Sequence, residues 1–327
     1  MPKKPAPQIV VITDRQDAHL PFVQKHLKRQ MVVIDPRTLL DGVELSYELE
    51  GDTMAVSYDG LRLDAVTGIW YRKPGEIQRE DLNVPEELKT YSLCAMQYQI
   101  TQILSCLQHA VWVSDHYTLR KANSKVWQLE VAARVGFNTP RTLVTSDSAK
   151  AREFIEQEGV CIVKAHMAYS PAYKDVRKSF LTTEISASNM PNLANLHLAP
   201  SIFQQYIKTA FDVRVTVIGE KVFAATIRTS KLDKNSKVRD WRIGHYQGEM
   251  QIEAYLDFPD EVARMCVEHT KAMGLRYGAI DLIMDTEGEL WFVENNPNGQ
   301  WAFVEDATGQ PIGKAMAELL SSTSTKI

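Results

Sequence analysis

A chain of 327 residues, 44% hydrophobic and 24% charged, has enough apolar material for a large core arranged in two or three lobes. A formal net charge of −4 argues against general nucleic-acid or membrane-surface binding. No apolar run approaches the roughly 20 residues of a membrane-spanning helix.

The N-terminal stretch MPKKPAPQIVVITD has a short apolar run that suits a first strand and is not read as a signal peptide. Residues 8–13 and 31–35 read as two buried parallel strands flanking a helix in HLPFVQKHLKRQ. ELSYELEGDTMAVSYDG reads as antiparallel, and TGIWYRKP as an apolar strand that ends in a cation, Arg72. Trp70 and Tyr71 are core residues by default, because of the area an aromatic buries. Arg72 is the better functional candidate, since an acidic substrate would need a cation there. The spacing of Leu88, Tyr91, Met96, Ile100, Ile103 and Leu107 predicts a helix between Pro85 and Gln108. A second helix is expected from Asn123 to Val135, closed by Gly136, and the first lobe should end near Asp115. Cys94, Cys106, Cys161 and Cys266 are scattered, with no CxxC pair and no histidine at zinc spacing. They read as reduced, mostly buried thiols of a cytoplasmic protein.

The segment PRTLVTSDSAKAREFIEQEGVCIVKAH reads strand, helix, strand, with Lys164 ending the second strand. Residues 174–200 are polar and read as a mobile flap carrying Lys174, Arg177 and Lys178. Neither GxxxxGK[ST] nor GxGxxG occurs, so bound phosphates would need cations outside a phosphate-binding loop. Lys125, in a first helical turn, and Lys164 are candidates, although a single lysine is more often a solvated surface group. In IFQQYIKTAFDVRVTVIGEKVFAATIR, the QQYI stretch reads as a hinge whose backbone could meet an adenine edge. A hairpin follows about Gly219 and Glu220, in which Asp212 and Arg214 share a face and Arg228 is expected near Asp212. That cluster is either an exposed ion pair of small worth or a two-arginine clamp for a phosphate or carboxylate, and geometry leaves both open. Lys231, Arg239 and Arg242 lie in a polar loop that is either a solvated basic loop or a rim for acidic peptides.

YGAIDLIMDTEGELWFVEN predicts a hairpin, followed by NPNGQW. If Asp285 pairs with Leu290, Asp281 falls opposite Glu294. Opposed Cβ atoms lie roughly 4.5–5.5 Å apart, and two carboxylates there repel unless a cation sits between them. Asn296, two residues on, shares the face of Glu294. Pro297 and Gly299 should end the strand where its polar cargo begins. Such hard oxygens suit Mg²⁺, which commonly completes its shell with water and substrate phosphates.

The order of parts (Lys125 before GFNTPRT, Lys164 on a strand, QQYI, DVR, then Asp281 and ENN) resembles the ATP-grasp superfamily over roughly residues 110–305. Within it, GIWYRKP, ANSKVWQLEVAARVGFNTPRT and ENNPNGQW resemble the microviridin-type ribosomal-peptide maturases, or graspetide synthetases. The resemblance implies a mixed α/β fold: an N-terminal α/β lobe (1–115), a central lobe (116–200) and a C-terminal antiparallel-sheet lobe (201–327), with ATP between the last two. It implies an ATP-dependent carboxylate–amine or carboxylate–hydroxyl ligase. Lys125 and Lys164 would hold ATP phosphates, Gln205, Tyr206 and Ile207 would meet adenine, and Asp281, Glu294 and Asn296 would bind two Mg²⁺ ions. Arg214 and Arg228 would stabilise the transferred phosphoryl group and the acceptor carboxylate, with Arg72, Asp212, Lys174 and Arg177 toward the substrate. The implied partner is a precursor peptide with an N-terminal leader and an acidic core, acted on by a homodimer. Phosphoryl transfer needs positioning and charge neutralisation more than a protein nucleophile. That agrees with the dispersed histidines and the lack of a Ser–His–Asp or Cys–His set. The flap departs from the pattern, because many ATP-grasp proteins have glycines there and this chain has none. Two other readings stand: an amino-acid ligase of the ribosomal-protein glutamate ligase type, and a nucleotide-binding module without catalysis.

Overall fold

The computed structural model describes residues 9–166, 182–229 and 250–322, with the backbone of 172–173 and 176–177. The first lobe contains β1 (Ile9–Ile12), α1 (Leu20–Gln24), β2 (Val32–Ile34), β3 (Leu45–Glu50), β4 (Thr53–Tyr58), β5 (Leu61–Arg62), β6 (Gly68–Tyr71), α2 (Lys89–Ser105) and β7 (Val111–Val113). Strands β2-β1-β6-β7 form a parallel sheet, as the continuous apolar runs require of strands covered on both faces. One face packs on α2 and the β3-β4-β5 meander through Val10, Ile12, Ile69, Ile100 and Leu104. Two of the four thiols, Cys94 and Cys106, are exposed rather than buried.

The central lobe contains α3 (His116–Ala122), α4 (Lys125–Val135), β8 (Thr142–Thr145), α5 (Ser148–Glu158), β9 (Val160–Lys164), β10 (Ala172–Tyr173), β11 (Val176–Arg177), β12 (Thr183–Ser186) and β13 (Ser201–Gln205). Ser124 caps α4 by accepting from the Trp127 N–H, and Gly136 ends it with φ of 104°, a conformation only glycine adopts cheaply. The sheet runs β12-β9-β13-β8. Residues 183–186, expected within a flap, are a sheet strand paired with β9, because Ile185 buries its side chain against α5.

The last lobe contains β14 (Thr209–Ile218), β15 (Lys221–Thr229), β16 (Met250–Ala254), α6 (Asp260–Ala272), β17 (Tyr277–Asp285), β18 (Leu290–Asn296), α7 (Ala302–Thr308) and α8 (Ile312–Leu320). Its antiparallel sheet runs β16-β15-β14-β17-β18. The two terminal helices were not anticipated, and they change the lobe boundaries. Ile312, Met316 and Leu320 of α8 share one core with Ile9, Val11, Trp70 and Val113 of the first sheet. Each such fully buried side chain contributes roughly 1.5–3 kcal/mol. Gly68 makes the approach possible, since a Cβ there would lie 2.2 Å from the Leu320 carbonyl oxygen. The boundary expected near residue 115 therefore does not divide the packing. Among the described residues no helix is long and apolar enough to cross a membrane.

Candidate active site

A cleft of about 620 Å³ lies between the central sheet and the five-stranded sheet. Lys125, Lys164, Gln205, Tyr206 and Ile207 line it, as do Asp212, Arg214, Arg228, Asp281, Glu294 and Asn296. The structure thus brings eleven sequence candidates to one place, from six strands, one helix and the segment after β13.

At its floor Asp281 is paired directly with Glu294. The route differs from the expected one. Met284, not Asp285, pairs with Leu290, and a register shift between Asp281 and Leu282 leaves Val293 as an extra residue. Continued without that bulge, the ladder would set Val293 opposite Asp281 and turn Glu294 to the other face. Both carboxylates face cations. Arg214, paired with Asp281 across β14 and β17, holds its Nε 3.0 Å from Oδ1. The Lys125 ammonium lies 3.4 Å from Glu294 Oε2. Asn296 continues the strand opposite Ala279. Among the described residues no third carboxylate, histidine or cysteine joins the pair. Two carboxylates and one amide oxygen, already neutralised by cations, are a donor set that fits Mg²⁺ and needs phosphate or water to complete it.

A clamp that sequence reading missed fixes this floor. Gln128, one turn after Lys125, is buried. Its Oε1 accepts from the Asn295 N–H at 3.0 Å, and its Nε2 donates to the Asn295 carbonyl at 2.8 Å and the Ala122 carbonyl at 2.7 Å. The α4 face that carries Lys125 is thereby held against the strand residues on either side of Asn295. His269, fully buried, lies 3.1 Å from the Gln128 carbonyl through Nε2 and 3.3 Å from the Asn295 amide through Nδ1. The neutral Nε2–H tautomer satisfies both contacts, and burial lowers the imidazole pKa to about 4. No sequence pattern marked Gln128 for this role.

On the other wall, Lys164 Nζ donates to Gln204 Oε1 at 2.8 Å, and Gln204 Nε2 donates to Thr142 Oγ1 at 2.9 Å. Gln204 is buried, so the lysine is steered by a fixed amide. Gln205 ends β13 with its N–H donated to the Arg141 carbonyl. Tyr206 and Ile207 follow, outside the strand.

Two expectations change. Asp212 pairs with Ile227, so Arg228 falls one position out of phase with it and lays its guanidinium 4.1 Å over the Phe211 ring. Arg214 and Arg228 line the same cleft. Arg72 is 1% exposed and does not line the cleft. Its Nη1 donates to the carbonyls of Asn298 (2.6 Å) and Gly299 (3.1 Å), while its Nε lies 3.3 Å from Asp17. Asn298 returns a bond from Nδ2 to the Arg72 carbonyl. His19 Nε2 accepts from the N–H groups of Trp301 (3.0 Å) and Ala302 (3.1 Å), and Nδ1–H donates to Asp17 at 2.6 Å. Burial, the largest influence, lowers the His19 pKa and so favours this neutral form. Burial raises Asp17, yet the His19 bond and the Arg72 charge together hold it far below the usual carboxylate range. Arg72 therefore fastens the segment after Asn296 to the first lobe. Lys174 lies outside the described residues, as do the side chain of Arg177 and the loop bearing Lys231, Arg239 and Arg242.

Comparison with known proteins bears on the family and the fold. The family model described as RimK-like ATP-grasp domain matches residues 122–320. The fold superposes on the RiPP-associated ATP-grasp ligase of Chryseobacterium gregarium, solved with ADP and a leader and core peptide, with TM-score 0.87, 22% identity and 96% of each chain covered. Macrocyclase MdnC of Microcystis aeruginosa, bound with precursor peptide MdnA, gives 0.81 and 25% identity over 95% of this chain and 98% of that one. A probable alpha-L-glutamate ligase of Legionella pneumophila is 24% identical over 264 residues, 79% of this chain and 82% of that protein. Another, from Parasynechococcus marenigrum, is 26% identical over 61% of this chain, which spans only 41% of its length. The chain has the ATP-grasp fold and belongs to the RimK-like ATP-grasp family.

Proposed function

We propose that the chain is an ATP-dependent ligase that closes macrocycles in a ribosomally made precursor peptide with a leader and an acidic core. The observation that carries the ligase reading is the opposed Asp281–Glu294 pair, flanked by Asn296 and faced by Arg214 and Lys125 in one cleft with Lys164. A core Asp or Glu carboxylate oxygen attacks the γ-phosphorus of the co-substrate ATP, and the bond to the ADP oxygen breaks. A Ser or Thr hydroxyl, or a Lys amine, of the same peptide then attacks the acyl phosphate carbon. Phosphate leaves, the attacking group loses its proton, and one water is removed per ring. Tyr206 and Ile207 meet the adenine edge beside Gln205, and Lys125 and Lys164 hold the phosphates. Arg214 stabilises the charge on the transferred group, Arg228 lies on the same wall, and Asp212 faces the acceptor side. Asp281, Glu294 and Asn296 would hold two Mg²⁺ ions, which supply charge neutralisation at the phosphates.

A peptide substrate is supported by likeness over 96% of the chain, first lobe included, to a ligase solved with leader and core peptides. The second reading, addition of a free amino acid to a carboxylate, is favoured by the curated glutamate-ligase relatives. A cytoplasmic homodimer belongs to the same proposal. The test is intact mass of the precursor encoded beside this gene after incubation with enzyme, ATP and Mg²⁺. Loss of one water per ring supports macrocyclisation, and methanolysis of the product separates esters from amides. Gain of an amino-acid residue mass moves the assignment to the second reading.

A further inference from the structure

We propose that Lys73 is the residue through which the first lobe recognises a carboxylate of the acidic substrate. This rests on the ligase reading above and names the group that reads its substrate. Lys73 is the one cleft-lining residue contributed by residues 9–115. It is placed firmly. The preceding residue, Arg72, is bonded at its N–H to the Ile12 carbonyl and at its carbonyl to the Asn298 amide. The Lys73 carbonyl accepts from the Asp14 N–H (2.9 Å) and Thr13 Oγ1 (3.2 Å). The backbone is thus tied on both sides, and the side chain is left to reach the cleft.

The other cations of the cleft are already directed. Arg214 meets Asp281, Lys125 meets Glu294, Lys164 meets Gln204 and Arg228 lies on Phe211. Lys73 forms no ion pair among the described residues. Lys73 is exposed and lines the cleft. Burial, followed by the neighbouring charge of Arg72, lowers its pKa; Asp17 opposes this, and Arg214 adds a smaller push in the lowering direction. Crowded cations make this point favourable for an anion. A carboxylate arriving there would gain a charge-assisted bond and relieve the repulsion. Nucleotide phosphates are the competing anions, and they carry a different signature.

The experiment compares wild type, Lys73→Met and Lys73→Arg, with melting temperature as a fold check. ADP release is measured against the precursor encoded beside the gene and, separately, against ATP. A lost charge-assisted contact should raise the precursor KM roughly ten- to a hundredfold in Lys73→Met. The ATP KM should move less than about twofold, and Lys73→Arg should recover most of the loss. An unchanged precursor KM, or a loss confined to kcat, overturns the proposal. A parallel rise in ATP KM places Lys73 on phosphate and also overturns it. Absence of ADP formation by the wild type would instead overturn the ligase reading itself, and the role of Lys73 with it.

Discussion

Gln128 does with one amide what a neighbouring strand does with two backbone groups: it satisfies both the N–H and the carbonyl of Asn295. Replacing it with leucine leaves both groups buried and unpaired, and should cost about 2–4 kcal/mol, read as a lower denaturant midpoint at constant slope. Its partner His269 makes stability pH-dependent. With a folded pKa of about 4 against an ordinary 6.5, the unfolded chain binds the extra proton between those values. Stability from this site is therefore complete above pH 6.5 and is lost as pH falls toward 4, by roughly 3 kcal/mol in total. Equilibrium unfolding at stepped pH measures it as the difference between wild type and a His269→Gln variant, whose pH dependence should be smaller by that amount. The two acids should separate in the same assay. Glu294→Gln breaks a partly exposed contact and should leave stability within about 0.5 kcal/mol. Asp281→Asn uncouples the buried Arg214 and should cost about 1–3 kcal/mol. Both should abolish ADP release with the precursor, and turnover by both would sink the metal assignment. Asp281, Glu294 and Asn296 were legible because acids inside apolar runs are chemically unusual. Gln128 was not, because a lone glutamine carries no pattern. Arg72 was misread because a strand-end cation looks exposed until the segment that covers it, Asn298–Ala302, is placed.

At the scale of elements, the β17–β18 hairpin shows how a correct pairing can be reached by two departures that cancel. The Asp285 carboxylate accepts from the N–H groups of Glu287 and Glu289 and from Trp291 Nε1, which tightens the turn and makes Met284 the last ladder partner. The Val293 bulge then restores the phase. Neither feature has a sequence signature, since valine suits a regular strand equally well. The turn after Asn296 is as tightly specified. A Cβ on Gly299 would lie 2.3 Å from the Ala279 Cβ and 3.0 Å from Arg214 Nη1. Gly299→Ala should lose about 1–3 kcal/mol through overpacking. Adding Ala279→Gly should recover more than additivity allows, and a purely additive double mutant would show that the two sites do not touch.

At the scale of the molecule, the lobes share cores. The strand and helix pattern of the first lobe and the hairpins of the last were legible from periodicity. The closure of α8 over β1 and β6 was not, because that pairing spans nearly the whole chain. A fragment beginning at residue 116 would leave Ile312, Met316 and Leu320 without their partners from the first lobe, and should aggregate or lack a cooperative transition. The full chain should unfold with one transition by fluorescence and circular dichroism alike. A stable, soluble fragment would separate the lobes after all.

The contact between Gly68 and Leu320 also sets an order in time. On a ribosome, the face of the first sheet that carries Ile9, Val11 and Trp70 is finished early and lacks part of its cover until α8 emerges. At roughly 5–20 residues per second, that interval is on the order of tens of seconds. Throughout it the nascent chain presents an apolar β-surface that has α1 against it but still lacks α8. Apolar surface left open for that long is prone to aggregation, and the synthesis of α8 ends the exposure.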